Sequence, residues 1–243
     1  MKVRLDQLLV IRNLVESREK AKALIMSGNI IVNGVIIDKP GKLVDINSEI
    51  KIKEKLKYVS RGGLKLETAL NYFKLDVKNF ICLDIGSSTG GFVDCLLQRG
   101  AKIVYAVDVG KNQLHEKLRN DKRVISYEEK DARELNENDI KEKVHLITID
   151  VSFISLTKII PHVIKFLKDD GYLLVLVKPQ FELEKKFIKK GVVRDENLRK
   201  LAVDKILNFL KELKFEILGV VRSYPPGPKG NHEFFVLAKK NLI

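Results

Sequence analysis

Apolar positions recur along the first sixty residues in short bursts. Leu5, Leu8 and Leu9 have helical spacing, with Lys2, Arg4 and Arg12 around them. A second helix is expected over residues 17–26. Ser17 serves as its N-cap, Ala21, Leu24 and Ile25 form one apolar stripe, and Gly28 closes it in a left-handed conformation. Ile30-Ile31-Val32, Asn33-Gly34 and Val35-Ile36-Ile37 read as a hairpin with a two-residue type I′ turn. Pro40-Gly41 turns the chain, Ile50-Lys51-Ile52 ends the unit as an alternating strand, and residues 51–57 read as a strand end running into a short linker. So small a unit buries little core, which fits a binding appendage better than a catalytic body.

From Leu64 the pattern changes to alternating helices and apolar strands. Helices are expected over 64–73, 92–97, 156–167 and 195–213, with Pro161 kinking the third or resetting its start. Strands are expected over 81–85, 103–107, 124–126, 144–149, 172–177, 216–221 and 233–238. Repeated β-α units with near-continuous apolar strands imply a mostly parallel sheet covered on both faces. The last two strands are joined without a helix, so the final one is expected to be antiparallel. The division that follows is a small α+β domain over 1–59, with a linker about 55–59, and an α/β Rossmann-like domain over 60–243.

Composition narrows the class. Of 243 residues, 45% are apolar and 32% charged, a balance that supports a packed core and excludes a disordered or collagen-like chain. No apolar run reaches the length of a membrane-spanning helix, and the opening MKVRLDQLLV has charges where a signal peptide needs apolar residues. Cys82 and Cys95 make neither a disulfide framework nor a zinc motif, and Cys82 is expected to be a buried strand residue. The expectation is a soluble cytoplasmic protein without a metal. The net charge of +13, denser per residue in the first sixty positions, favours a polyphosphate partner.

In sheets of this kind ligands bind beyond the carboxyl ends of the strands. The first strand of the larger domain ends in Asp84-Ile85-Gly86-Ser87-Ser88-Thr89-Gly90-Gly91, and three others end in Asp108, Asp150 and Lys178. Asp108 follows Gly86 by one β-α-β step, the separation at which a carboxylate meets ribose hydroxyls. A glycine loop without basic residues, beside Asp84, suits a cationic amino-acid end better than a pyrophosphate. That favours S-adenosylmethionine over NAD, with Asp84, Gly86, Ser87, Gly90, Gly91 and Asp108 around it. Asp131 is either an adenine contact or a plain surface residue. Gly86-Ser87-Ser88-Thr89-Gly90 also fits the nucleophile elbow of hydrolases, with Ser88, Asp150 and His232 in the order of a triad. Against that reading, the loop follows the first strand of its domain and no oxyanion segment precedes it. Phe153 and Phe181 read more readily as packing residues than as a stacking platform for a base.

The strings YVSRGGLKL, LDIGSSTGGF, AVDVG, TIDVSFISL, LVKPQFE and GNHEFF span the larger domain. With them the whole chain resembles the TlyA (hemolysin A) family of ribosomal RNA 2′-O-methyltransferases. Its front is similar to the S-four RNA-binding domain of a ribosomal protein, and its body to FtsJ-type methyltransferases. The resemblance implies S-adenosylmethionine as donor, cytidine 2′-hydroxyls of ribosomal RNA or ribosomal subunits as acceptor, and a catalytic tetrad on Lys65, Asp150, Lys178 and Glu233. A ribose hydroxyl is a weak acid and needs a base, and a lysine beside another cation gives up its proton more readily. Lys178 is then the expected acceptor, with Asp150 and Glu233 holding the two amines. Arg4, Arg12, Arg18, Lys20 and Lys22 form the expected phosphate-contacting face of the front domain. The alternatives are a membrane-lytic protein, for which no suitable segment is found, and an RNA-binding protein without activity, against which the complete tetrad speaks.

Overall fold

The computed structural model describes residues 1–26, 28–52, 57–188 and 190–241. The chain divides into two units, Met1–Leu56 and Lys57–Ile243. The linker expected at 55–59 falls partly on residues 55 and 56, which lie outside the described residues.

The first unit contains β1 (Lys2–Arg4), α1 (Leu5–Ile11), α2 (Arg18–Met26), β2 (Ile30–Val32), β3 (Val35–Ile36), β4 (Leu43–Asp45) and β5 (Ile50–Ile52). Leu5, Leu8, Leu9, Ala21, Ile25 and Ile30 form its buried core. The N–H of Lys20 donates to Ser17 Oγ at 3.2 Å, the expected cap, and Gly28 has φ of +68°. Asn33 and Gly34 both have positive φ, as a type I′ turn requires. The antiparallel pairing of β1 with β4 was not expected. Each strand is three residues long and their partners lie some forty positions apart, so no local periodicity announces them.

One buried carboxylate organises this unit. Asp6 is fully buried, and Arg4 grips it as a fork, Nε to Oδ1 and Nη2 to Oδ2, both at 3.0 Å. Arg18 Nε donates to the same Oδ2 at 2.9 Å. The Arg4 hydrogen bond, assisted by Arg18, lowers the Asp6 carboxyl to about 2. Arg12 donates to the carbonyls of Ser48, at 2.7 Å, and Ile46. Three of the five cations expected on a phosphate-contacting face are therefore fastening the fold. Lys20 pairs with Glu16 at 2.8 Å, and Lys22 is half-buried.

The second unit is one seven-stranded sheet. Its elements are α3 (Arg61–Tyr72), β6 (Ile81–Ile85), α4 (Gly91–Gln98), β7 (Ile103–Val107), α5 (Glu116–Arg119), β8 (Val124–Tyr127), β9 (Val144–Ile149), α6 (Ile160–Val163), β10 (Leu167–Val177), α7 (Pro179–Glu182), α8 (Glu196–Glu212), β11 (Phe215–Arg222) and β12 (Phe234–Lys240). The order is β11-β12-β10-β9-β6-β7-β8. Strands β10, β9, β6, β7 and β8 run parallel, and β12 is antiparallel to both of its neighbours, so the sheet is mixed. Alternate residues feed two cores. Leu83, Ile85, Tyr105 and Val107 pack on one face, and Cys82, Val104 and Ala106 on the other. Burial on both faces is what makes these strands read as unbroken apolar runs.

The helix expected over 156–167 is broken into a 3-10 turn at Leu156–Lys158, α6, and a second 3-10 turn at Ile164–Phe166. Pro161 falls in the first turn of α6, where its missing N–H is harmless, so it resets the helix there. Asp195 caps α8 by accepting from the N–H groups of Asn197 and Leu198.

Asp6→Asn weakens the forked charge contact while keeping the shape. It is expected to destabilise the first unit by about 1–3 kcal/mol, between the exposed-pair and buried-pair ranges because both arginines are partly exposed. Since folding lowers the Asp6 carboxyl, the wild-type contribution is complete above about pH 4. It disappears as the pH falls toward 2, and the variant lacks this loss. Hydrogen exchange of the α1 amides in the full chain, followed across that range, measures both effects.

Candidate active site

Strand register assembles the site. Ile85 pairs with Ile149, Val175 with Ile149, and Val177 with Phe234. Gly86, Asp150, Lys178 and Glu233 are the residues just beyond these paired ends, so four segments far apart in sequence come to one edge of the sheet. Lys65 reaches it from α3, buried to 9% exposure.

Two ion pairs result. Lys65 Nζ lies 2.7 Å from Oε2 of the fully buried Glu233, and Lys178 Nζ lies 2.6 Å from Asp150 Oδ1. Lys178 also donates to Ser152 Oγ at 3.0 Å, a partner that sequence reading missed. Removing either member of the Lys65–Glu233 pair leaves a desolvated charge, at a cost of about 3–5 kcal/mol. Oε1 of Glu233 has no hydrogen-bond partner, and Gly227 packs so closely over the carboxylate that a Cβ there would overlap it.

Three cavities border these pairs. The first, about 390 Å³, lies between Gly86, Ser88, Asp108, Asp131, Asp150 and Ile154. A second, about 350 Å³, is lined by Ser60, Arg61, Lys65, Ser87, Gly91 and Asp150. The largest, about 900 Å³, is bordered by Phe153, Lys158, Lys178, Phe181, Lys229 and Glu233. Asp150 faces the first two, and Lys178 and Glu233 face the third.

Around the first cavity the loop is pinned by Asp108. Its Oδ2 accepts the Ser88 N–H at 2.8 Å and its Oδ1 the Gly110 N–H at 2.7 Å, each oxygen keeping a lone pair for a hydroxyl. Gly86, at φ +81°, lies against the Asp150 carbonyl with no room for a Cβ. Asp131 borders the cavity but spends its carboxylate on Arg133, with bonds of 2.6–3.1 Å. The chemistry of this set, acidic at Asp108 and Asp150 with the glycine loop free of cations, fits a ligand carrying hydroxyls and positive charge.

Other expectations change. Asp84 borders none of the three cavities. It is buried under the loop, where Thr148 Oγ1 donates to it at 2.6 Å, and burial raises its carboxyl to about 7. Gly90 and Gly91 serve packing first, since a Cβ on Gly90 would overlap Leu118 and one on Gly91 would overlap Ser60 Oγ. With Gly63, which is pressed on the Tyr58 ring, Gly91 brings the starts of α3 and α4 together. Phe153, expected to pack, is 90% exposed at φ +65°, with its ring centroid 5.0 Å from that of Phe181. Cys82 is buried as expected. His232 has Nδ1 2.6 Å from Arg199 and Nε2 2.5 Å from Arg222, so it cannot serve Ser88 as the base of a hydrolase triad. Among the described residues no group of acidic, histidine and cysteine side chains could hold a metal ion.

The chain is similar to known proteins along nearly its whole length. The model of the FtsJ-like methyltransferases matches residues 58–240, and that of the S4 domain residues 3–50. Over 234 residues the chain is 42% identical to hemolysin A of Brachyspira hyodysenteriae, covering 96% of this chain and 98% of the relative. It is 40% identical over 238 residues to the 16S/23S rRNA (cytidine-2′-O)-methyltransferase TlyA of Mycobacterium tuberculosis, covering 97% and 89%. A solved structure from Streptococcus thermophilus, described as a hemolysin, has 45% identity and a TM-score of 0.77 over 99% of this chain and 89% of that one.

The buried Asp84 has a measurable signature. Its folded carboxyl stays protonated up to about 7, whereas an unfolded aspartate ionises near 4. The folded state therefore holds the extra proton in between, and its stability falls as the pH rises from about 4 to 7. Asp84→Asn is expected to remove that slope, which denaturant melts at a series of pH values will read.

Proposed function

The chain belongs to the TlyA family of FtsJ-like methyltransferases with an S4 domain, and we propose that it methylates ribose 2′-hydroxyls of cytidines in ribosomal RNA, using S-adenosylmethionine. The observation that carries this reading is the pair of lysine–carboxylate contacts at the strand ends, set between the glycine-loop cavity and the larger cavity with its exposed aromatic. The Mycobacterium tuberculosis relative is named for that reaction and is alike over nearly the whole chain.

Asp108 and Gly86 would hold the donor's ribose and backbone-proximal part, Asp150 and the Val151–Ile154 stretch would border its reactive end, and Asp131 would line its adenine side. The donor supplies an electrophilic methyl carbon. Lys178 Nζ takes the proton of the 2′-hydroxyl. Asp150 keeps that amine in place and borders the donor cavity as well, so any cation there draws on the same carboxylate. Lys65, neutralised by Glu233, keeps a second cation beside the reacting oxygen without adding net charge. Phe153 and Phe181 offer the acceptor base a stacking face.

The first unit would grip the RNA. Arg4 and Arg18 remain partly exposed after their internal bonds, and with Arg12, Lys20 and Lys22 of the same unit they make a set suited to phosphates rather than base edges. The name of the Brachyspira relative speaks of lysis, yet among the described residues no helix is long and apolar enough to cross a membrane.

Lys178→Arg keeps the charge but replaces the amine with a group that does not deprotonate in water. It is expected to bind donor and RNA nearly normally and to lose about 10²-fold or more in single-turnover methyl transfer. Asp150→Asn is expected to lower the same rate more than it lowers RNA affinity. Near-normal transfer by Lys178→Arg would remove the proton-acceptor role. Absence of any ribose-methylated position in ribosomal RNA treated with the wild-type protein would remove the whole reading.

A further inference from the structure

The loop between Asp150 and Leu156 carries Asp150, Ser152 and Phe153, all of which border the reaction cleft. Its backbone is held at both ends, by the Asp150 N–H on the Ile85 carbonyl at 2.9 Å and by the turn that starts at Leu156. Between those points Phe153 adopts a left-handed conformation that a bulky residue does not favour. Something must hold it there.

Glu182 does. It is buried to 6% exposure at the end of α7, four residues after Lys178. Its Oε1 accepts the Leu156 N–H at 2.8 Å, and its Oε2 accepts the Ser155 hydroxyl at 2.5 Å. Lys205 of α8 donates to Oε2 at 3.2 Å and to the Glu182 carbonyl at 2.8 Å. The carboxylate thus caps the Leu156–Lys158 turn from another segment, and its own charge is balanced from a third. The stretch 178–182 and the loop 150–156 are laced at two points, Lys178 to Asp150 and Ser152, and Glu182 to Ser155 and Leu156.

We propose that Glu182 is a positioning residue of the methyl transfer, fixing the distance between Asp150 and Lys178 by clamping the Asp150–Leu156 loop onto the segment that bears Lys178. This rests on the 2′-O-methyltransferase reading above. Glu182 joins the two segments whose first residues form the ion pair, and Lys205 of α8 balances its charge. The groups around Lys178 are Asp150 and Ser152 on the loop, Glu233 paired with Lys65 across the cleft, and Lys158, Lys185 and Lys229 around the large cavity. Loosening the clamp weakens the Lys178–Asp150 contact and leaves the amine in an otherwise cationic surrounding, which shifts the pH profile of the transfer to lower pH.

The test uses the full chain and the RNA substrate on which wild-type transfer is observed. Single-turnover rates are measured from pH 6 to 10 for wild type, Glu182→Gln, Ser155→Ala and the double variant. Glu182→Gln is expected to lose about tenfold or more in rate, the usual penalty for a misplaced catalytic group. The midpoint of its rise with pH should move down by roughly half a unit or more. Ser155→Ala, the milder change should Glu182→Gln fail to fold, is expected to move the midpoint the same way by less. The double variant should be no worse than Glu182→Gln, because both remove one contact. An unmoved midpoint in both single variants, or a rate loss that only follows their melting temperatures, overturns the proposal. An inactive wild type on every ribosomal RNA tried would overturn the methyltransferase reading and this proposal with it.

Discussion

Strand register is the constraint from which everything at the cleft follows. Lys65 and Glu233 lie 168 positions apart, and only the β10–β12 pairing of Val177 with Phe234 brings the second of them beside Lys178. A one-residue slip of β12 would turn Glu233 to the opposite face and leave Lys65 without its counter-ion in a desolvated place. The two cores on either side of the sheet enforce that register, because a slip would also move the buried Phe235 and Leu237 to the wrong layer. Stability of the sheet and chemistry of its edge are therefore specified by the same alternation.

How much of this could be read from sequence depended on whether the signal was local. The central strands were legible almost to the residue, since burial on both faces writes them as apolar runs. Strand β10 extends back to Leu167, beyond its expected start, through Asp169 and Asp170, polar residues at a register shift that no hydrophobic pattern marks. The left-handed Phe153 was illegible for a different reason. Nothing in its own identity favours that conformation. Asp84 was misplaced because its nearness to the glycine loop said nothing of which side of the loop it occupied. The tetrad positions were carried by family resemblance, and their pairing into two separate lysine–carboxylate contacts became visible only in three dimensions.

The front unit shows the same limit in electrostatic terms. Positive charge predicts attraction to phosphates, but Asp6 draws two of the arginines inward and the carbonyls at 46 and 48 draw a third. A formal count of cations overstates the field available to a partner. The guanidinium group suits this double employment, since its fork can satisfy a carboxylate on one edge and leave another edge outward, which a lysine ammonium cannot do.

The place of β12 in the sheet has a consequence for the life of the protein. This strand, the final one of the sheet, inserts between β10 and β11 and brings Glu233 to the lysine of α3, the first helix of its unit. While the polypeptide is being made, a nascent chain that has emerged through β11 has a sheet with a gap and a buried amine without a partner. At ordinary synthesis rates such a chain persists for seconds. The Lys65–Glu233 pair therefore forms only when the last strand takes its place between β10 and β11.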